Sequence, residues 1–329
     1  MHDFVAIGET DTDVFIRLED ESGAQLSGMP DALDYRMSLP FAAKIPYESA
    51  TIISGVGNAP NAAVSAARLG LRSALFAHVG DDEGGRNTIE SLKEHGVDTS
   101  LVTPEAGKKT SHSYILWYKQ DRTILRRHEN FSYTLPDLGS PKWAYFSAMG
   151  SKADDFYNHF ADYIEQHPQV KFAFQPGGNE IGLGTRLGRF YKRCDIFFSN
   201  VEEAGQILGI QTLGISELLK RVQALGPKIV VITDGPRGAY AFDGTNTYPQ
   251  LPYPDPKPPF ERTGAGDAFA STVVAALALG QDLPTALQWG AVNSMSVVQQ
   301  VGAQKGLLTR EKIEEYLKSA PAEFETKKL

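Results

Sequence analysis

The sequence of 329 residues predicts an α/β protein with a mostly parallel central sheet and helices on both faces. Short apolar stretches typical of buried strands alternate with longer stretches that have helical periodicity. No internal repeat or low-complexity tract interrupts this alternation. Two segments lack the helical period, and we expect them to form a small β accessory. We therefore predict one domain over residues 1–329, with inserted segments at 15–49 and 108–130.

The predicted strands are short and rich in β-branched and aromatic residues. In chain order they are 4–9, 73–80, 143–149, 171–176, 195–200 and 228–235. Helical stretches separate them. Pro60 lies in the first turn of one helix, and Gly70 lies where that helix ends. Residues 110–128 instead read as two strands around Lys-Gln-Asp, which predicts a hairpin.

Composition limits the classes of partner. The chain is 42% hydrophobic and 22% charged, which is typical of soluble globular proteins. Its net charge of −8 disfavours nucleic acid or an anionic membrane surface as the main partner. No apolar run reaches the roughly 18 residues of a membrane span, and the N-terminus lacks a signal-peptide pattern. The single cysteine, Cys194, excludes an intramolecular disulfide and suits the cytoplasm, where we expect the protein.

One glycine-rich turn indicates chemistry. Gly264, Ala265 and Gly266 precede Asp267 and an apolar helix predicted over 268–279. Glycines permit close approach to a ligand, and the unsatisfied N–H groups of a helix start bind anions. Asp267 could accept the proton of a hydroxyl that attacks a phosphoryl group held by those amides. Alternatively, Asp267 only favours the helix N-terminus, which is worth about 0.3–1 kcal/mol.

Other candidate residues lie where predicted strands meet helices. Asp13 follows the first strand, near the edge where open α/β sheets bind ligands, or is an ordinary turn aspartate. Asn58 and Asn61 lie at a helix start, where their amides suit a sugar diol or cap the helix. Asn200 and Glu203 share a first helical turn, where they suit metal-bound water, a capping box, or both.

The stretch around Asp267 resembles the signature Asp-Thr-Xaa-Gly-Ala-Gly-Asp of the PfkB (ribokinase-like) family of carbohydrate kinases. Residues 263–267 match, whereas Glu261 and Arg262 replace the first two residues. Further matches follow in the family's order: Gly8 with Asp13, Gly57 with Asn61, Asn200 with Glu203, Thr233 with Gly235 and Gly238, and Asn293 with Gly302. Val56 replaces the first glycine of the first signature. The resemblance extends over about residues 4–317.

The resemblance implies a ribokinase-like three-layer α/β/α sandwich with a small β lid. It also implies ATP-dependent phosphorylation of a hydroxyl of a small sugar. Asp267 would be the base, and the amides of Gly264, Ala265 and Gly266 would hold the transferring phosphoryl group. The remaining roles are substrate binding by Asp13, Gly57, Asn58 and Asn61, nucleotide binding by Asn200, Thr233, Gly235, Gly238, Asn293 and Gly302, and Mg²⁺ binding through water by Glu203 and Asn200.

Several alternatives stay open. The lid selects among the family's substrates, so a nucleoside kinase of the adenosine or cytidine type is the nearest alternative, followed by a non-catalytic sugar- or nucleotide-binding member. No cluster of Lys and Arg is readable near the sugar site, which disfavours a phosphorylated acceptor. A NAD-dependent dehydrogenase is disfavoured, because the sequence after the first strand lacks the glycine-rich turn of a dinucleotide-binding fold. Glu261 replaces an Asp that often helps bind a monovalent cation, so a potassium requirement is left open. Family members often pair through their lids, which implies a homodimer.

Overall fold

The computed structural model describes residues 1–28, 35–119, 121–211, 213–260 and 262–328. The strands are β1 (Phe4–Ile7), β2 (Asp11–Leu18), β3 (Gln25–Ser27), β4 (Arg36–Ser38), β5 (Tyr47–Val56), β6 (Ser73–Gly80), β7 (Val102–Glu105), β8 (Ser111–Tyr118), β9 (Asp121–Arg127), β10 (Trp143–Phe146), β11 (Lys171–Phe174), β12 (Ile196–Asn200), β13 (Ile229–Thr233), β14 (Ala239–Phe242) and β15 (Thr247–Gln250). The helices are α1 (Asn58–Arg68), α2 (Glu83–Glu94), α3 (Asp154–Gln166), α4 (Gly178–Leu183), α5 (Gly188–Arg193), α6 (Val201–Leu208), α7 (Ile215–Gln223), α8 (Ala265–Ala278), α9 (Leu283–Val297) and α10 (Arg310–Lys318).

The large sheet has the strand order β15-β14-β13-β12-β11-β10-β1-β6-β7. From β7 to β13 every neighbouring pair is parallel, whereas the pairs β13–β14 and β14–β15 are antiparallel. Each predicted strand of the parallel set is present, so the predicted fold class is confirmed. Because neighbouring parallel strands end at the same edge, the carboxyl ends of β1 and β10–β13 form one ledge for ligands.

Helices cover both faces of this sheet. On one face, α1, α8 and α9 enclose a core that includes Val64, Leu75 and Trp289. On the other face, α3, α5 and α6 enclose a core rich in phenylalanine, including Phe160 and Phe172. Strands buried on both faces are apolar at nearly every position, which explains their unbroken hydrophobic sequences. No helix of the described residues is long and apolar enough to cross a bilayer.

A second, four-stranded sheet has the order β5-β2-β8-β9, and we call it the lid. Strands β8 and β9 pair antiparallel, which confirms the hairpin predicted within residues 110–128. Strand β2 pairs antiparallel with β5 and parallel with β8. The lid begins at Asp11 and its β5 strand ends at Val56, so both strands extend beyond the predicted segment 15–49. The division into one domain with inserts at 15–49 and 108–130 stays a prediction.

Candidate active site

Polar residues from several strands meet at the carboxyl edge of the large sheet. Gln175 follows β11, Asn200 ends β12 and Thr233 ends β13. Asp267 approaches the same edge as the third residue of α8, which begins three residues before the predicted start at Ala268. The predicted burial of α8 is confirmed, because residues 267–276 are all buried.

Three side-chain amides converge on the carboxylate of Asp267. Its Oδ1 accepts hydrogen bonds from Asn58 Nδ2 at 2.8 Å and from Gln175 Nε2 at 3.0 Å. Its Oδ2 accepts one from Asn61 Nδ2 at 2.9 Å. Asp267 is only 9% exposed, so these donors replace most of the solvation that burial removes. The carboxylate is thus held in one orientation at the helix N-terminus.

The amides themselves are fixed by further hydrogen bonds. Gln304 donates to Asn61 Oδ1 at 3.0 Å and to the Gly55 carbonyl at 2.8 Å. The hydroxyl of Tyr145 donates to Gln175 Oε1. Gly57 is the N-cap residue of α1, and it has no side chain with which to cap. Asn58 and Asn61 therefore serve Asp267 in this structure, whereas the alternative of helix capping is not seen.

The environment tunes the Asp267 carboxyl in two directions. Burial raises its pKa above the ordinary aspartate value, and the hydrogen bonds from Asn61, Asn58 and Gln175 oppose that rise. Burial favours the protonated form, while donors aimed at the carboxylate favour the ionised form. An aspartate with a raised pKa is a stronger base than one in water.

The turn before α8 requires glycine at its first position. Gly264 has φ of +79°, and a Cβ there would lie 2.2 Å from the Cβ of Ala303. The N–H of Ala265 contacts the Arg262 carbonyl at 3.4 Å. The next N–H groups, of Gly266 and Asp267, lie in the first helical turn, where no intrahelical acceptor exists. This turn therefore presents amides and the positive end of the helix dipole to a ligand.

A cavity of about 380 Å³ opens beside this turn. It is lined by five of the predicted site residues, namely Thr233, Gly235, Gly238, Ala265 and Gly266. Gly238 has φ of +93°, and a Cβ there would lie 2.1 Å from the Gln250 carbonyl oxygen, so a side chain is excluded. Apolar walls come from Tyr253, Phe269, Met295 and Val298.

Two predicted nucleotide contacts lie away from this cavity. Asn293 is fully buried; its Nδ2 donates to Thr272 at 2.7 Å and its Oδ1 accepts from the Leu308 N–H at 2.9 Å. Its neighbours Ser294 and Met295 line the cavity instead. A Cβ on Gly302 would lie 2.5 Å from Ile53 Cδ1 of the lid. These positions support structural roles, and the predicted nucleotide contacts are not among the cavity's lining residues.

Asn200 and Glu203 form a reciprocal cap at the start of α6. Asn200 Oδ1 accepts the Glu203 N–H at 2.8 Å, and Glu203 Oε2 accepts the Asn200 N–H at 2.9 Å. Burial raises the pKa of Glu203, the Asn200 N–H lowers it, and the charge of Asp267 raises it again. A cation beside both carboxylates would relieve that repulsion. The described residues contain no group of three or more His, Cys, Asp or Glu side chains that could hold a metal ion, so Mg²⁺ binding through water stays a prediction.

The predicted substrate residues lie where β1 leads into the lid. A Cβ on Gly57, whose φ is +121°, would lie 3.2 Å from the Glu9 carbonyl oxygen. Asp13 lies within β2 rather than at the end of β1, and it is half-buried. It pairs with Ser113 of β8, which pairs with Arg126 of β9. Paired residues of neighbouring strands project from the same face, so these three side chains form one row.

Sequence reasoning missed two salt-bridge contacts, one within the lid between β2 and β9 and one between the residues that follow β1 and β9. Asp11, 5% exposed, accepts from Arg126 Nη2 at 3.0 Å. Burial raises the pKa of Asp11, and the charge of Arg126 lowers it. Glu9, 6% exposed, lies 3.0 Å from His128 Nδ1. These partners are more than a hundred positions apart along the chain, so no local pattern could pair them.

Gln175 is a third omission, and here a signal existed. It directly follows a predicted parallel strand, at the edge where open α/β sheets bind ligands.

Glu261, on which the potassium prediction depends, lies outside the described residues.

Comparison with known proteins supports the resemblance. The sequence model "pfkB family carbohydrate kinase" matches residues 53–310, which is most of the chain. The chain is 27% identical over 274 residues to Bacillus subtilis ribokinase, covering 79% of this chain and 87% of the relative. It is 25% identical over 256 residues to a nucleoside kinase of Methanothermobacter thermautotrophicus, covering 76% and 80%.

The fold has solved counterparts. Arabidopsis thaliana ribokinase in complex with ribose and ATP superimposes with a TM-score of 0.79 at 19% identity, covering 96% of this chain and 99% of that one. The chain belongs to the pfkB family of carbohydrate kinases, which are phosphotransferases that act on hydroxyl groups.

Proposed function

We propose that this protein transfers the γ-phosphoryl group of ATP to a hydroxyl of a small sugar. One observation carries the proposal: a buried carboxylate, held by three amides, lies in the first turn of a helix whose start lines a 380 Å³ cavity. That is the arrangement a base needs beside a phosphoryl-binding turn.

In this mechanism Asp267 accepts the proton of the attacking hydroxyl. Asn58, Asn61 and Gln175 fix its orientation and leave one lone pair of Oδ2 for the proton of the acceptor. The N–H groups of Gly264, Ala265 and Gly266 stabilise charge on the transferring phosphoryl group. Because the amides belong to a buried helix, they need no reorganisation as that charge develops.

The donor occupies the cavity beside the turn. Thr233, Gly235 and Gly238 contact its phosphates or ribose, while the apolar walls receive the base. Mg²⁺, when bound, shields phosphate charge. Glu203 and Asn200 would hold Mg²⁺ through water, and the reciprocal cap between them fixes both side chains.

The acceptor lies between the lid and Asp267, near Asp13 and Gly57. The charge of Arg126 is already paired with Asp11, and Nδ1 of His128 lies 3.0 Å from Glu9. Because these side chains already have partners, neither offers an unpaired cation to a phosphate. Their remaining hydrogen-bond donors and acceptors suit hydroxyl groups, which favours an uncharged sugar. A nucleoside is the alternative, because relatives of similar identity include a nucleoside kinase.

A phosphoryl-transfer screen tests the proposal. ADP release from Mg-ATP is measured with pentoses, hexoses, their monophosphates and nucleosides. Asp267→Asn is expected to lower turnover on the best acceptor by roughly 10²–10⁴-fold, because the base is lost, while ATP still binds. Asp282→Asn is the matched control, since Asp282 caps the exposed start of α9. Wild-type turnover by Asp267→Asn would contradict the assigned base, and ligand binding without turnover by the wild type would favour the non-catalytic alternative.

We also propose that two copies pair through the outer faces of their lids. Ile52, Val14, Tyr114 and Leu125 form one row across the sheet, and Ile52 is 69% and Leu125 54% exposed. Such a face is expected to be covered. Light scattering after gel filtration is expected to give a dimer for the wild type and a monomer for Ile52→Glu with Leu125→Glu. A monomeric wild type at assay concentration contradicts this.

A further inference from the structure

Arg262 differs from every other described residue that lines the donor cavity. It is the only lysine or arginine among them, and the cavity also contains the acidic Asp255. Arg262 lies two residues before Gly264, the N-cap residue of α8. Its carbonyl accepts the N–H of Ala265, which places its backbone within the phosphoryl-binding turn.

The guanidinium is available for a ligand. It is exposed, and within the described ranges no side chain forms a hydrogen bond or ion pair with it. The nearby Asp255 carboxyl is affected by it: burial raises the pKa of Asp255, and the charge of Arg262 lowers it. Asp255 Oδ1 accepts a hydrogen bond from Gln299 Nε2 at 3.4 Å.

Arg262 could offset the negative charge of a bound nucleotide. A nucleoside triphosphate is multiply charged, and this chain has a net charge of −8. Backbone amides supply partial charges only, and a dipole acts over about one turn. A guanidinium supplies a full charge and binds phosphate oxygens through two parallel N–H groups.

We propose that Arg262 binds the terminal phosphates of the nucleotide and stabilises the charge of the transferring phosphoryl group. The proposal rests on the donor site proposed above and adds a residue to it. Arg262 acts from the donor side, in the same turn as the amides of residues 264–266, whereas Asp267 acts on the acceptor. The preferred ligand of Arg262 is therefore a nucleoside di- or triphosphate, and a nucleoside lacking phosphates gains nothing from it.

The test compares ligands with and without phosphates at the same cavity. Displacement of a bound fluorescent ADP derivative is measured with ADP and with adenosine, in wild type, Arg262→Gln and Arg262→Lys. Arg262→Gln is expected to weaken ADP about 10- to 100-fold, the loss typical of a charge-assisted hydrogen bond, and to leave adenosine unchanged. Arg262→Lys is expected to recover part of the ADP affinity, because the charge remains but the paired N–H geometry is lost.

Arg221→Gln is the matched control, since Arg221 is exposed on α7 and pairs only with Glu217 at 2.7 Å. Equal weakening of ADP and adenosine by Arg262→Gln would show a structural role and overturn the proposal, as would unchanged ADP affinity. If the wild type neither binds ADP nor releases it from ATP, the proposed kinase activity itself has failed. If the wild type does both and Arg262→Gln matches it, only the role of Arg262 has failed.

Discussion

The donor and acceptor sides of Asp267 are built differently. The proposed donor side uses main-chain amides, glycines and small residues of one sheet edge, with Arg262 as the basic side chain among its described lining residues. The proposed acceptor side uses ionisable side chains paired across the lid, Asp11 with Arg126, and between the residues that follow β1 and β9, Glu9 with His128. A shared donor requires a fixed backbone frame, whereas acceptor choice can change with a few side chains on a separate sheet.

Of the two sides, the donor side is expected to show the larger effect when its frame is disrupted. Gly264→Ala forces a side chain into the left-handed region and against Ala303. We expect kcat/KM to fall about 10²–10³-fold, the cost of losing an aligned amide donor. The strain also lowers the free energy of unfolding by roughly 1–3 kcal/mol. Steady-state kinetics and urea titration measure the two effects.

Gly280→Ala separates strain from misalignment. Gly280 also has a positive φ, +87°, but a Cβ there meets no atom within 4 Å. This variant is expected to lose stability and keep wild-type kcat/KM when assayed below its unfolding transition. If Gly264→Ala were as active as Gly280→Ala, the turn would not be the phosphoryl-binding frame.

Disruption of the acceptor side is expected to have a smaller and more selective effect. Arg126→Gln leaves the buried Asp11 carboxylate without its cation. We expect KM for the acceptor to rise about 10- to 100-fold, with KM for ATP unchanged, because the unpaired carboxylate disturbs only the lid side. Arg127→Gln is the control, since Arg127 is the next residue of β9 and pairs with Glu129 at 3.3 Å. A parallel rise in both KM values would remove the distinction between the two sides.

A change at the boundary of the two sides is expected to alter pH dependence. Asn58→Leu removes one donor to the Asp267 carboxylate, so the pKa of Asp267 rises further. Because the base must be ionised, activity is lost as pH falls through this pKa. The acidic limb of kcat/KM against pH therefore moves to higher pH than in the wild type. Asn158→Leu, on the exposed face of α3, is expected to leave the limb in place. A limb that stayed fixed or moved to lower pH in Asn58→Leu would argue against Asp267 as the titrating base.

The large sheet was predictable from sequence because its strands are buried on both faces and its helices carry a helical period. The Gly264–Asp267 turn was also predictable, because its residues are neighbours in the chain. The substrate-binding roles of Asn58 and Asn61 stay predictions, and their hydrogen bonds to Asp267 were not anticipated. Helix capping was the competing local interpretation, and only tertiary contacts exclude it.

The lid was less predictable because its inner face depends on pairing between distant strands. Asp11 and Asp13 are two residues apart in β2, so the sequence predicts that both lie on the same face. Only the register with β8 and β9 decides which of them contacts Arg126. Asn293 shows the converse. Its position in a family motif predicted a ligand contact, which stays a prediction, and its hydrogen bonds to Thr272 and Leu308 were not anticipated.

The amides around Asp267 come from remote parts of the polypeptide. Asn58 and Asp267 are 209 positions apart, and Gln304 and Gly55 are 249 apart. Contacts of such long sequence separation form only when both ends of the chain have met. We therefore expect the site around Asp267 to form late in folding, and neither half of the polypeptide would contain it when synthesised alone. Recovery of turnover after dilution from denaturant would then report that the whole chain has folded.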